Sequence, residues 1–382
     1  MNAQSTTTGS PAGDAGRARQ YERIKLRVTL LNTALSIIAP LVFLLAGGSE
    51  ALRDLVEGWT GVAALVVLAY VLIVSAAFEA ITFPLDIYAG FFVERRFDLS
   101  RSTFREWLFD WAKGQAIQLV FIVAAVEGIY ALLRAAAGVW WIYTAVGFTL
   151  FFVALAALAP VLLFRIFYKF EPLPDGELKD RLLRLSDRLK VSVRGVYIWK
   201  LGDKTRKANA ALAGWGRTRR ILLSDTLIEE HSPDEIEVVL AHEMAHQVHN
   251  DIWKGLAVQT ALVFAAFLAV HLALEAWTGA LGLRSVSDIA NLPLLALVSG
   301  AVTLIALPVA NGLSRKMEHA ADVYALEKTG LAGPFASAMD KLASQNLSQK
   351  RPNRLVEIIF HSHPSVQKRI EFAREWQAKA RS

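Results

Sequence analysis

His242-Glu243-Met244-Ala245-His246 is the stretch on which the reading of this chain turns. On a helix, histidines four residues apart project from one face, so both imidazoles reach a single metal ion in the HExxH arrangement. The glutamate beside the first histidine then lies next to the metal's open position, placed to take a proton from water. The arrangement requires a helix, and the sequence supplies the start of one. Ser232 can cap, Pro233 suits the first helical position and Glu235 completes a capping box. Ile236, Val239 and Leu240 carry the helix into His242 and His246, and Asp251 and Trp253 lead from there into a long apolar segment.

That setting is a membrane. Of 382 residues, 54% are hydrophobic, and the mean hydropathy of +0.36 is too high for an ordinary soluble domain. Six apolar runs, near 27–47, 60–82, 115–133, 140–164, 255–276 and 292–313, reach the length needed to span a bilayer. The expected fold class is therefore a predominantly α, polytopic membrane protein with about six transmembrane helices. The short connections alternate in positive charge. Arg17, Arg19, Arg23, Lys25 and Arg27 crowd the N-terminal flank, and Arg95, Arg96, Arg101, Arg105 and Lys113 the connection at 83–114. The other connections carry Arg53, Arg134 and Arg284. The positive-inside rule then puts both termini and the HExxH region on the cytoplasmic face, and Trp59, Trp111, Trp140, Trp141, Trp253 and Trp277 fall at the expected interfaces.

The net charge of +6 reads as this bias together with attraction to anionic lipid. No basic stripe interleaved with aromatics points to nucleic acid. The absence of cysteine excludes a thiol nucleophile, a disulfide framework and a Cys-ligated metal. Composition marks residues 1–25 as a disordered tail, and with no short cleavable signal ahead of it the first span is expected to act as an uncleaved anchor. A membrane domain over 26–168 should follow, then a first catalytic part over 169–254, two spans within 255–313 and a second catalytic part over 314–382. Between the fourth and fifth spans, residues 176–190 have helical periodicity, Val196–Trp199 and Arg220–Leu223 read as strands, and Asn209–Ala213 as a weaker one. Gly214-Trp215-Gly216 supplies the turn before the last strand. These make a small β-sheet in an otherwise helical chain.

Two histidines do not complete a catalytic metal site, which ordinarily takes three protein ligands. Glu318 and Asp322, four apart just beyond the sixth span, share a helical face. One carboxylate can bind metal while the other accepts the outward N–H of a ligating histidine. Spacing alone leaves Glu318 either a ligand or a solvated helix charge. His249 and His319 read as helix-surface groups or as groups behind a ligand rather than as ligands, and His361 as a loop residue; Glu79, Glu127, His271 and Glu275, in or at the ends of spans, either face a polar interior or pair with a neighbouring helix.

HExxH followed after two spans by Ser314-Arg315-x-x-Glu318-x-x-x-Asp322 resembles the membrane gluzincin peptidases, which include type 1 CAAX prenyl protease and the HtpX-type proteases. Phe83-Pro84-Leu85-Asp86-Ile87-Tyr88, Phe92-Val93-Glu94 with Phe97, and Phe170-Glu171-Pro172-Leu173-Pro174-Asp175-Gly176 are similar to blocks of the CAAX prenyl protease branch. So are Lys207-Ala208-Asn209-Ala210, Ile221–Leu227 and Ser362-His363-Pro364 with Arg369 and Ile370. The resemblance implies a gluzincin-like α+β peptidase domain and a metalloendopeptidase carrying one zinc ion per chain. It implies His242, His246 and Glu318 as zinc ligands, Glu243 as general base, and Asp322 behind a ligand. It further implies contacts from Asn209, His363 and Arg369 to the substrate carbonyl or developing oxyanion. An extended peptide, prenylated or membrane-associated, would lie along Asn209, Ala210 and Leu212. Two departures stand out: Asn209 sits in an alanine-rich segment, and six spans replace the seven of the eukaryotic enzymes. A membrane quality-control protease of HtpX type and a non-catalytic zinc-stabilised scaffold are the competing readings; Glu243 disfavours the scaffold, since a structural site needs no base.

Overall fold

The computed structural model describes residues 11–214 and 216–381. Among them, six helices are long and apolar enough to cross a membrane, spanning Ala15–Leu45, Ala63–Arg96, Phe104–Ala135, Trp140–Leu158, Asp251–Trp277 and Ile289–Thr329. The first is α1 (Pro11–Leu45), which begins well before its apolar part. Residues 11–25, expected to be disordered, are therefore helical. They are held because Tyr21 and Lys25 donate to Glu94 Oε1 at 2.6 and 3.1 Å and Arg17 pairs with Asp98 at 2.9 Å. Composition marks a polar, small-residue tail but does not register such partners far along the chain. Residues 1–10 of that expected tail lie outside the described residues.

After α2 (Gly48–Glu57), α3 (Ala63–Ile87) runs on through a π-helical turn at Tyr88–Phe92 into α4 (Val93–Arg96). The expected connection at 83–114 is thus mostly helix, broken only before α5 (Phe104–Ala135), which Thr103 and Glu106 cap reciprocally. The break is used for docking. Ser100 bridges Thr205, and Leu99 O accepts from Arg206 N and Thr205 Oγ1 at 3.0 and 2.7 Å, fastening the membrane helices to the polar part of the chain. α6 (Trp140–Phe167) completes the first four spans.

A four-stranded sheet in the order β1-β2-β4-β3 follows. β1 (Phe170–Pro172) and β2 (Val196–Trp199) are antiparallel, β2 and β4 (Arg220–Ser224) parallel, and β3 (Ala210–Ala213) antiparallel to β4. β3 is thus an edge strand, and β1 is a strand that sequence periodicity passes over because it is three residues long. Gly214, at φ +105°, turns the chain between β3 and β4; a Cβ there would meet Thr218 O at 2.9 Å. Trp215 of the expected turn lies outside the described residues.

α7 (Glu177–Arg188), α8 (Asp225–Glu230) and α9 (Pro233–Val248) pack on the sheet side. α9 is buried nearly all round, through Ile236, Val238, Leu240, Ala241, Met244 and Ala245, so its position is set by a surrounding core rather than by one amphipathic face. Its capping box forms: Ser232 Oγ accepts from Glu235 N at 3.3 Å and Glu235 Oε2 from Ser232 N at 2.7 Å. α10 (Asp251–Trp277) and α11 (Leu292–Thr329) are the last two spans, followed by α12 (Ala332–Gln345), α13 (Arg354–Phe360) and α14 (Val366–Arg381). Phe335, Met339, Ile370 and Ala373 of α12 and α14 close the same core that holds α9 and the sheet. A second core, around Tyr70, Tyr130 and Trp140, lies within the membrane helices.

At the opposite end from α9, Arg53 of α2 and Asp288 form an ion pair whose side chains are 5% and 2% exposed. Ser49 Oγ lies 2.5 Å from Tyr70 Oη and donates to Ala290 O at 2.7 Å beside it. Removing one partner of a buried pair strands the other charge. Arg53→Ala should therefore cost about 3–5 kcal/mol, whereas Arg53→Met/Asp288→Asn, which removes both charges and keeps an oxygen for Ala290 N, should recover much of it. Thermal unfolding of the reconstituted protein compares the two; an equal loss in both would refute the assignment.

Candidate metal centre

The centre is assembled from two helices distant in sequence. α9 presents His242 and His246, whose rings lie 4.9 Å apart at an interplanar angle of 89°. α11 crosses them and delivers Glu318 between them. His242 Nε2 is 3.2 Å from Glu318 Oε2 and His246 Nε2 is 3.5 Å from Oε1. One ligand atom from each of the three residues lies within 4.8 Å of the other two.

Each histidine is aimed from behind. His242 Nδ1 is 2.9 Å from Asp322 Oδ1, and His246 Nδ1 is 2.9 Å from Asp251 Oδ2. A carboxylate only accepts, so both Nδ1 atoms carry a proton, which leaves the two inward Nε2 atoms as the ones that bind metal once unprotonated. Asp322 is itself held: Arg369 Nε and Nη2 donate to its two oxygens at 2.9 and 2.6 Å. Arg369 Nη2 lies a further 3.4 Å from His242 Nδ1. Asp322 thus takes the place expected of it, behind a histidine. Arg369, expected against the substrate, spends these two nitrogens on Asp322. Sequence spacing does not single out Asp251. Its signal is local: Asn250, in left-handed conformation at φ 57°, breaks α9 from α10 and lets the first residue of α10 fold back on His246.

The donor set fits a divalent cation. Glu318 Oε2 is buried and receives no hydrogen bond among the described residues, although His242 Nε2 and His363 Nδ1 lie within 3.2 and 2.8 Å. An anionic oxygen beside two inward Nε2 atoms is the donor set preferred by a metal of zinc's kind. Burial would lower the pKa of His242, yet Asp322 and Glu318 outweigh it and push the ring up to about 9. Burial pushes the Glu243 carboxyl up, with the positive charge of His242 and His246 partly offsetting it. Burial likewise works against the Arg369 charge, but Asp322 raises its pKa overall, so it stays cationic.

The remaining expected residues lie around this point. His363 stands at its lip, 62% exposed, with Nδ1 on Glu318. Asn209 is exposed at the start of edge strand β3, which packs on α9; its N–H donates to Ser224 Oγ at 2.9 Å. Ala210 is buried and pairs with Leu223. His249 and His319 stay outside, against Tyr324 and Phe372. Of the membrane residues, Glu79 accepts from Gln115 at 3.1 Å, His271 stacks on Trp141 and Glu275 is exposed.

Two inward histidines and a half-buried acid on α9, which leads into one membrane helix, with a carboxylate between the histidines carried on another, define a metal-dependent hydrolase of a membrane protein. Comparison with known proteins agrees. Residues 172–377 match Peptidase family M48 and residues 11–169 match the family described as CAAX prenyl protease N-terminal, five membrane helices. The chain belongs to peptidase family M48, as a multi-pass membrane metalloendopeptidase of the CAAX prenyl protease type. It is 29% identical over 363 residues to "Uncharacterized metalloprotease YhfN" of Bacillus subtilis (strain 168), covering 93% of this chain and 84% of the relative. It is 27% identical to CAAX prenyl protease 1 of Saccharomyces cerevisiae, covering 79% and 71% of the two chains. The crystal structure of S. mikatae Ste24p has the same fold, with a TM-score of 0.85 at 21% identity over 97% of this chain and 91% of that one. Where the N-terminal family has five membrane helices, residues 11–169 here hold four of spanning length, α2 being only ten residues long.

Two outcomes follow from the geometry. Asp251→Ala should weaken metal affinity roughly 10–100-fold with helix content unchanged, because it frees the His246 ring. Competition with a chelator measures it, and wild-type affinity would remove Asp251 from the centre. Because His242 is protonated below about 9 in the metal-free centre, the metal must displace that proton. Affinity therefore falls as pH falls, and zinc added to metal-free protein at neutral pH should release roughly one proton per site in an unbuffered titration.

Proposed function

We propose that the centre holds one zinc ion per chain through His242, His246 and Glu318, and that the protein hydrolyses peptide bonds at the membrane surface. The carrying observation is the pair of Nε2 atoms, aimed by Asp322 and Asp251, that meets Glu318 beside Glu243. Zinc bound there supplies a Lewis acid that acidifies water and polarises the scissile carbonyl. Glu243 takes the water proton on a carboxyl that burial makes more basic, then returns it to the leaving amine. His363, exposed at the lip, donates to the carbonyl oxygen as charge develops there. Arg369 acts through Asp322, keeping that acid ionised and His242 in its metal-facing tautomer. The substrate lies antiparallel or parallel on the free edge of β3, with Ala210 supplying backbone contacts and the exposed Asn209, whose own N–H and C=O are spent on Ser224, reaching it through its side chain.

The positive-inside bias supports a cytoplasmic position for this face and for both termini. The catalytic parts would comprise 169–254 and 314–382, joined through spans within 255–313 and carried on the membrane domain over 26–168. The match to CAAX prenyl protease sequences along both the membrane and the catalytic parts supports a prenylated or membrane-associated peptide substrate over the HtpX-type alternative.

Glu243→Gln should retain zinc and lose turnover by roughly 10²- to 10⁴-fold. Mass spectrometry of products from farnesylated CAAX peptides, the same peptides without the prenyl group and an unfolded membrane protein gives the substrate class, with Glu243→Gln as the blank. Near-wild-type hydrolysis by the variant would sink the mechanism; preference for the unfolded protein would sink the prenyl reading alone.

A further inference from the structure

The arginines at the N-terminal flank of α1 have an unusual disposition. Arg19 and Arg23 are exposed, four residues apart on one face, and neither forms an ion pair among the described residues; Arg19 Nε donates only to Ala15 O in its own helix, at 3.3 Å. Like charges at this spacing repel, so the pair costs stability unless something anionic faces it. What faces it is a groove of about 500 Å³ between α1 and α13, lined by Arg19, Glu22, Arg23 and Leu26 on one side and by Asn353 and Phe360 on the other. Glu22 is the only acid among the groove's lining residues, and its Oε1 is already taken by Gln349 N at 2.6 Å. Lys25, also at the rim, is paired with Glu94. The two arginines are left as uncompensated charge.

The groove sits at the boundary between the polar and apolar parts of α1. Following the face that carries Arg19 and Arg23 down the helix in steps of three, four and seven residues gives Leu26, Leu30, Ile37 and Leu41, the last three exposed. A cationic cleft therefore opens directly above an unpartnered apolar stripe on a helix of membrane-spanning length. The other wall continues the pattern. α13 exposes Leu355 and Ile358, while its C-terminal end is pinned to α11 by Arg315 Nη1, which donates to Glu357 O and His361 O at 3.0 and 2.6 Å.

We propose that this groove binds the phosphate headgroup of an anionic phospholipid, with Arg19 and Arg23 on the phosphate and the acyl chains along Leu30, Ile37 and Leu41. A guanidinium pair matches phosphate geometry, and charge with an adjoining apolar track distinguishes a lipid from a free anion. His361, at the end of α13, lines the groove itself and lies two residues before His363 at the lip of the metal centre.

The test titrates the detergent-solubilised full-length protein with phosphatidylglycerol and with phosphatidylcholine of the same chains, counting retained lipids by native mass spectrometry. Phosphatidylglycerol should bind at a discrete site in preference to phosphatidylcholine. Arg19→Gln/Arg23→Gln should weaken it roughly thirtyfold, since each cation near an anionic headgroup is worth about fivefold. Arg19→Lys/Arg23→Lys should retain most of the binding, and the control Arg105→Gln/Arg374→Gln, which removes the same charge elsewhere, should retain all of it. An unchanged melting temperature in the glutamine variant shows that it folds. The proposal is overturned if the two lipids bind alike, if Arg19→Gln/Arg23→Gln binds as wild type, if the control loses as much, or if inorganic phosphate displaces the lipid at equal concentration.

Discussion

Glu318 reaching between His242 and His246 is the contact around which the chain is organised. The three side chains belong to helices separated by two membrane crossings, and Glu318 and His242 are only 6% exposed. A buried anionic oxygen needs a cation beside it, which protonated His242 supplies in the metal-free centre and a bound metal supplies in its place. Most of the surrounding architecture answers that constraint. α9 is locked in a core formed by the sheet, α12 and α14, and α11 is one continuous helix from its membrane part through Glu318 to Asp322.

Rigidity extends outward through the acids behind the histidines. Asp322 and Asp251 fix the ring tautomers, Arg369 holds Asp322, and Lys254 donates to Asp251 Oδ1 at 2.9 Å. Each link satisfies a group that would otherwise be buried or half-buried with unspent charge. The membrane helices enter the same network from the side, through the docking of Leu99–Arg101 on Lys204–Arg206. Edge strand β3 begins within a few residues of that junction, so the place where a peptide would add to the sheet is braced by the membrane part of the protein.

Much of this was legible in the residues. The capping box at Ser232 and Glu235 forms as its spacing demands, because capping is settled within one turn. The apolar runs yield helices of spanning length because backbone groups in hydrocarbon must be satisfied internally. Glu318 and Asp322 share a face because four residues separate them. Less visible were features that depend on distant partners. Residues 11–25 look disordered by composition yet are helical, since Glu94 and Asp98 meet them only in the folded chain. Strand β1 is too short to show alternation and exists because β2 pairs with it.

The sequence by itself determined the chemistry available: two histidines and a glutamate on one helix, an acidic pair on another, and a membrane between. Local rules suffice for this, because helical spacing and transfer of apolar runs into lipid operate within a segment. Only the tertiary structure decided which carboxylate stands between the histidines and which stands behind, that Asp251 rather than a more distant acid aims His246, and that Arg369 serves Asp322. Those assignments rest on how α9 and α11 cross and on the sharp turn at Asn250, and crossing geometry is a property of packed helices that no single segment encodes.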